Sequence, residues 1–537
     1  MRKNMDDIRT QADRERNIEI QKEYDRFYTG EMLETLTSGN ATLNKRDMFY
    51  TMESWLKCMS HDGHIGALFG LRRTGKTVIL HQIAAEFIKK GVLVAYATYR
   101  YKEHDFNIVF HAVKKLADEG YQLILLDEIT RTEGFYDGAM GLSDDVCAKV
   151  IIVGTESLML WWAMSEPLFG RTITAKTTSM RYREYKHIFP DSLLMDFMRY
   201  GGVLWDKEKH DDTPITVEGY LRTSVVENIK NSINLLDDWH TITDRDYLGH
   251  IEADALFNLL VAVCECGVQD AVKRRISANW GDAASWKLTQ AHINLGNPRN
   301  DPRLKVIKDG LREFYMQVPN SEYEQVTVEI LIKRLRSMGF LDEVAELRTG
   351  GAIQKTLVIT QPYVKREFVR RNLSVLTEYA ELGLEDTADK MESIAYGVIL
   401  EDIVYFEARA RYFDKDAMLD NVVKCREDNA KEIDVCIYKR DTNELMLFEV
   451  KLSKEKVKTR IDTVTGEILR DRETKKPLIG QDRWFLDAGF MSYLIQFYNA
   501  TSVKKAVLYM GETDAAADEN GICWVNVEEW LLNVIEL

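Results

Sequence analysis

Residues 70–77 read Gly-Leu-Arg-Arg-Thr-Gly-Lys-Thr, and no other stretch constrains the local chain so tightly. Gly70 and Gly75 let the backbone curl until successive N–H groups point into one concavity that suits phosphate oxygens. Lys76 supplies a mobile point charge for β- and γ-phosphates, and the Thr77 hydroxyl supplies a magnesium ligand. Arg73 and Thr74 complete the loop. Such a loop needs a strand ending where it begins and a helix starting where it ends. The apolar run from His64 to Phe69 reads as that strand. Val78 to Lys89 reads as an amphipathic helix whose N-terminus faces the same anion. The spacing predicts a site for ATP and magnesium.

A second element belongs with it. Leu123-Ile124-Leu125-Leu126 is an apolar strand ending in Asp127 and Glu128. Asp127 is placed to hold magnesium through water, and Glu128 to polarise the attacking water. Phosphoryl transfer needs such positioning and charge neutralisation more than covalent chemistry. Hydrolysis, beyond binding, is the expectation.

Composition sets wide bounds. The 537 residues suffice for about three or four domains, each with a core. A hydrophobic content of 45% with only 8 prolines fits folded α/β and α segments rather than long disordered linkers. A net charge of −15 argues against a general nucleic-acid coat protein and leaves room for a local basic groove. The cysteines are scattered, with Cys264 and Cys266 the only close pair, a pattern of reduced thiols and not of a zinc module. The first residues lead into a charged helix without an apolar signal core, and no run approaches a membrane span. The expectation is a soluble cytoplasmic protein with no membrane partner.

Along the chain, residues 1–45 read as a charged helical arm. From 46 to 190 strands at His64–Leu71, Val92–Tyr99, Leu123–Asp127, Lys149–Thr155 and Ile173–Tyr182 alternate with helices. That rhythm predicts an α/β core with a doubly wound parallel sheet. Residues 191–320 read as a helical lid and further helices. At 321–388, Val328, Leu331, Leu335 and Met338 mark one helical face and Gly339 fits a helix cap. Two short strands then flank Thr349-Gly350-Gly351, together suggesting a winged-helix-like linker.

Residues 389–537 form a last α/β unit with a second chemistry. Glu432 to Tyr438 alternates as a strand, and a polar turn leads to a return strand ending Phe448-Glu449-Val450-Lys451. Residues two apart share a strand face, so Glu449 and Lys451 project together. With Asp434 beside them, two carboxylates and an ammonium suit a magnesium-dependent nuclease. Asp434 and Glu449 would hold the metal and Lys451 would orient or help deprotonate water. Glu401, on the preceding helix, is positioned to complete the acidic cluster. A surface hairpin with salt-bridged ends is the competing reading.

With these residues in hand, the chain resembles prokaryotic P-loop ATPases of the archaeal-type, AAA-like group, related to signal-transducing NTPases, that carry a C-terminal restriction-endonuclease-like domain. The resemblance spans most of the chain and rests on the order of short motifs. They are GLRRTGKT at 70–77, LLDEIT at 125–130, IVGTESLML at 152–160 and FGRTITAKTTSMRYREY at 169–185. MRYGGVL at 198–204, EGYLRTSVVENI at 218–229, ILEDIVYFE at 399–407 and WVNVEEWLLNV at 524–534 follow. The resemblance implies a sensor near Gly154, where Glu156 is unusual and Thr155 is the favoured residue. It also implies a Gly-Arg pair whose Arg171 contacts phosphate, acts across a subunit interface, or is structural.

Other features read plainly. Trp161 and Trp162 fit packing, His61 and His64 lack further ligands for zinc, and the mixed-charge run Lys451 to Lys476 fits a solvated face. Lys333, Arg334 and Arg336 fit either a DNA-facing edge or a helix surface. The architecture expected is an ATPase core, helical lid, winged-helix-like linker and restriction-endonuclease-like domain. ATP would control the last part, with DNA (RNA left open) and a homo-oligomer or protein as partners. The alternative is a nucleotide-switched scaffold that cleaves nothing.

Overall fold

The computed structural model describes residues 2–58, 65–99, 104–154, 172–202, 216–234, 248–249, 251–280, 321–348, 350–377, 387–414, 420–426, 432–453, 485 and 487–535. Two sheets organise them. The first comprises β1 (Tyr28–Thr29), β2 (Ile65–Gly70), β3 (Val94–Thr98), β4 (Leu123–Asp127), β5 (Lys149–Gly154) and β6 (Thr172–Thr177) in the order β1-β3-β4-β5-β2-β6. All pairs from β2 to β6 are parallel. The expected strands are present: Leu123–Asp127 has the expected bounds, three others are shorter by one to three residues, and the last runs Thr172–Thr177 where Ile173–Tyr182 was expected.

β2 and β4 are buried along their whole length, which is why they read as unbroken apolar runs and not as alternation. One sheet face packs on the helix Phe106–Asp118 through Val109, Val113 and Leu116. The other packs on the helices Asp47–Cys58 and Lys76–Lys89 through Met52, Leu56, Ile79 and Ile83. The chain runs from β2 out to β3 and returns through β4 and β5, so strand order reverses beside β2. A crevice forms at the carboxyl ends of such strands.

The N-terminal arm is part of this body. Its helix Arg2–Tyr24 lies along Phe106–Asp118, with Arg16 on Asn107 and His111 and with Lys115 on Gln21. The arm then supplies β1, antiparallel to β3. The described part of 191–320 is helical, including Val217–Tyr220 and the long Ala253–Trp280. Tyr220, Leu221, Leu256 and Leu260 from these helices share a core with Leu71 of the glycine loop.

The second sheet has β7 (Leu341–Arg348), β8 (Ile353–Ile359), β9 (Val422–Arg426), β10 (Glu432–Lys439), β11 (Glu444–Lys451), β12 (Ser502–Tyr509) and β13 (Ile522–Asn526), ordered β13-β12-β11-β10-β9-β7-β8. Here the structure departs from the winged-helix expectation. The helix Ser321–Ser337 and the β7–β8 hairpin exist, with Gly350 and Gly351 both at positive φ in the turn. The hairpin, however, extends the C-terminal sheet through parallel pairing of Glu346, Leu347 and Arg348 with Lys424, Cys425 and Arg426. The reason is burial on both faces of β7: Val344 enters one core, and Ala345 and Leu347 enter the other. The helix Thr387–Tyr412 covers the first face and Ala488–Tyr498 the second. No described helix is long and apolar enough to cross a membrane.

Candidate functional site

Gly70 closes β2 with φ +146, and a Cβ there would lie 2.3 Å from both the carbonyl and the hydroxyl oxygen of Thr177. Only glycine allows β6 to approach the loop this closely. Gly75, with φ +83, turns the chain into the helix Lys76–Lys89. The buried Thr74 hydroxyl sits 2.7 Å from both Leu71 O and Thr177 Oγ1. Lys76 is buried, and its Nζ donates to Gly70 O at 2.9 Å and Leu71 O at 2.8 Å. These neutral acceptors are weaker partners for an ammonium than a phosphate oxygen. Arg73 stands exposed at φ +65, while Arg72 ties the loop to the helical segment 216–234 through Thr223 O and Glu227.

The acidic strand end meets the loop. Thr77 Oγ1 donates to Asp127 Oδ2 at 2.8 Å, and Tyr96 OH donates to the same oxygen at 3.2 Å. Asp127 Oδ1 is buried without a hydrogen-bond partner among the described residues, a costly state for a carboxylate oxygen. A hydroxyl and a carboxylate oxygen are hard donors, so this pair fits magnesium. Glu128 takes a left-handed conformation, φ +58, and its Oε2 lies 3.4 Å from Arg131 Nε. A glutamate at positive φ is strained backbone of the kind that concentrates at functional sites.

Behind the loop lies a buried clasp. Arg46 donates to both Glu184 oxygens at 2.7 and 2.6 Å, to Thr74 O at 2.6 Å and to Thr178 O at 3.3 Å. One guanidinium thus joins the start of the helix Asp47–Cys58, the loop, and the segment after β6. No motif announces Arg46, which sits at the edge of a charged arm. Glu184 lies inside the RYREY stretch, where the pattern marks the place but not the partner.

The C-terminal cluster forms on the hairpin. Lys451 Nζ is 2.6 Å from Glu449 Oε2 and 3.4 Å from Asp434 Oδ2, and Asp434 Oδ2 also accepts from Val450 N at 2.8 Å. A register shift between Ile433 and Cys436 re-aims Asp434. All three side chains are buried. Burial raises the Glu449 carboxyl well above its usual range; Lys451 opposes the shift and Asp434 adds to it. Glu449 Oε1 has no hydrogen-bond partner among the described residues.

Glu401 does not join them. Phe448 and Val450 pack with Ile399, Leu400 and Ile403 of the helix Thr387–Tyr412, while Leu445 and Leu447 face the opposite core. Alternation therefore sends Glu449 and Lys451 away from that helix. Glu401 lies 3.8 Å from Lys424, within a buried group in which Asp402 contacts Lys424 at 3.0 Å and also pairs with Lys365. Among the described residues no group of three or more His, Cys, Asp or Glu gathers to hold a metal. Two acids and a lysine are brought together, not three acids.

Thr155 and Arg171 lie outside the described residues, as do Glu156, Ser157, Trp161, Trp162, His61, His64 and most of the run from Lys451 to Lys476. Of the basic helix end, Lys333 and Arg336 are exposed and Arg334 is buried.

Residues 62–186 match the family model AAA_14, described as AAA domain. A comparison with curated proteins gives no match. Solved structures similar to the chain include Rhizobiales Trip13, at 15% identity and TM-score 0.16, over 27% of this chain and 60% of that one. The chain thus spans less than two thirds of that structure. Similar too are C. elegans PCH-2, at 12% identity and TM-score 0.24 over 57% and 74%, and AMPPCP-bound DnaA from Aquifex aeolicus, at 14% and 0.22 over 53% and 92%. The matched residues hold the five parallel strands β2 to β6, an AAA-type P-loop domain.

Proposed function

We propose that the first half of the chain binds ATP with magnesium on the loop 70–77 and hydrolyses it. The observation that carries this reading is the Thr77–Asp127 contact, with the second Asp127 oxygen buried and unpartnered beside the glycine loop. In this reading Lys76 exchanges its carbonyl partners for phosphate oxygens, and backbone N–H groups of the loop cradle the rest. Thr77 and Asp127 would hold magnesium, which when bound neutralises phosphate charge. Glu128, fixed at the end of β4, orients the attacking water and takes its proton. Thr155 and Arg171 are proposed to read the γ-phosphate, Arg171 within the subunit or across a homo-oligomer.

The reading extends to the C-terminal sheet. Asp434 and Glu449 are proposed as hard oxygen ligands for a divalent ion and Lys451 as the group that orients water, giving a phosphodiester-cleaving site on DNA or RNA under control of the ATP state. The unpartnered Glu449 Oε1 and the bridging Lys451 support it. A second reading rests on Glu401 facing the other core: with two acids gathered among the described residues, the fold binds protein or nucleic acid and cleaves nothing.

Nucleotide affinity and phosphate release of the wild type and Lys76→Ala test the first part. Nuclease assays with magnesium or manganese, with and without ATP, test the second. Cleavage lost in Glu449→Gln while ATP hydrolysis persists supports the nuclease. No cleavage insensitive or sensitive to ATP in the wild type leaves the scaffold.

A further inference from the structure

A cleft of about 830 Å³ opens between the two sheets, away from both sites above. Its walls come from 176–182 after β6, the end of the helix Ser321–Ser337 with the start of β7, the start of the helix Pro362–Thr377, and one side of Thr387–Tyr412. The floor is apolar, with Met180, Tyr182, Ile399, Ile403 and Phe406. Around it stand six cationic side chains, Lys176, Arg181, Lys333, Arg336, Lys365 and Arg409, against only three acids, Asp342, Asp402 and Glu407.

Local pairing uses up some of that charge. Lys365 pairs with Asp402, Arg409 with Asp342 at 3.2 Å, Arg336 with Glu343 at 2.8 Å, and Arg181 approaches Glu407 at 3.7 Å. Lys176 and Lys333 make no ion pair among the described residues. Lys333 is exposed, and Lys176 packs its Nζ beside Gly339. Burial lowers the Lys176 ammonium below its ordinary value, with Asp342 opposing. A half-buried lysine at the edge of an apolar hollow is stabilised by an anion. The following residue, Thr177, points to the other side of β6, where it touches Gly70, so the cleft is distinct from the phosphate loop.

We propose that this cleft binds a phosphorylated ligand carrying an aromatic base, either a mononucleotide or the end of a short oligonucleotide. The volume lies in the range of small-molecule sites, which are mostly apolar with a few placed polar groups. Lys176 and Lys333 take the phosphates. The base lies against Phe406 and the exposed Phe413, whose ring already receives the Arg409 guanidinium 5.5 Å from its centroid.

The test uses full-length protein carrying Lys76→Ala to weaken the phosphate loop. Fluorescent ADP and a fluorescent four-nucleotide single strand are titrated separately, with inorganic phosphate as competitor and melting curves to verify folding. At least one base-bearing probe should bind, more weakly as salt rises. Adding Lys333→Glu, an exposed change, should weaken binding about tenfold, the effect of one charge-assisted contact; Lys176→Gln should weaken it independently. Which probe binds distinguishes the two sources. Binding of neither probe, or affinities unchanged in both substituted proteins, overturns the site. Competition by inorganic phosphate as effective as by the nucleotide overturns recognition of the base.

Discussion

Arg46 and Glu184 stand 138 residues apart in sequence yet share two buried contacts of 2.7 and 2.6 Å behind the phosphate loop. The same guanidinium holds Thr74 O at 2.6 Å, so loop shape depends on residues outside the loop. Arg46→Ala strands a buried carboxylate and should cost about 3–5 kcal/mol. ATP affinity should fall with it, although Arg46 lies outside the loop 70–77. Denaturant unfolding and nucleotide titration measure the two effects. Unchanged stability with normal affinity contradicts the clasp.

Lys76→Ala removes the charge that now rests on the Gly70 and Leu71 carbonyls. Affinity for ATP should fall by at least about tenfold, as expected for loss of a charge-assisted contact. Stability without nucleotide should change less than affinity, because the Gly70 and Leu71 acceptors are neutral carbonyls. Equilibrium binding by fluorescence or calorimetry reads the first effect, and a melting curve reads the second.

Much of the fold was legible in the sequence because parallel strands buried on both faces leave dense apolar runs, as in Leu123–Leu126. The loop was legible for a different reason: its glycines and lysine have almost no alternative use at that spacing. The hairpin Leu341–Ile359 was legible as a hairpin but not in its placement. Its pairing with Lys424 and Arg426 is a contact between distant segments that local pattern does not encode. Glu401 shows the same limit. Its place on the helix before the hairpin was readable, but only the packing of Phe448 and Val450 against that helix reveals that Glu449 turns the other way. Arg46 and Glu184 look like ordinary surface charges until their partners are known.

Asp402 tests the buried charges between the sheets. Burial opposes its ionisation, but Lys365 and Lys424 outweigh it and hold the carboxyl down to about 2. Its contribution is therefore present above the unfolded aspartate value of about 3.9 and is lost as pH falls toward the folded value. Asp402→Asn should destabilise by about 3–5 kcal/mol at neutral pH, because two buried lysines lose a charged contact. The gap from wild type should narrow on acidification. A constant gap in denaturant unfolding from pH 7 to pH 3 contradicts this assignment.

Glu449 gives the opposite sign. Burial raises its folded carboxyl, with Lys451 opposing and Asp434 reinforcing, so the folded state keeps a proton that the unfolded state releases above about pH 4.3. Stability from this group falls as pH rises past that value. In metal-free buffer at pH 7, Glu449→Gln should melt higher than wild type, with the difference vanishing near pH 4. Stabilisation by added magnesium or manganese, if Asp434 and Glu449 are ligands, should be lost in the variant. A lower melting point at pH 7 contradicts a carboxyl raised by burial at Glu449.

The central claim is that Asp127 and Glu128 at the end of β4 turn a phosphate-binding loop into a hydrolytic site. Phosphate release from ATP and magnesium, measured for wild type and Glu128→Gln at equal nucleotide occupancy, tests it most directly. The wild type should turn over ATP, and the variant should bind ATP with normal affinity but turn it over at least about a hundredfold more slowly, the scale of a lost general base. Hydrolysis by Glu128→Gln at the wild-type rate would contradict it.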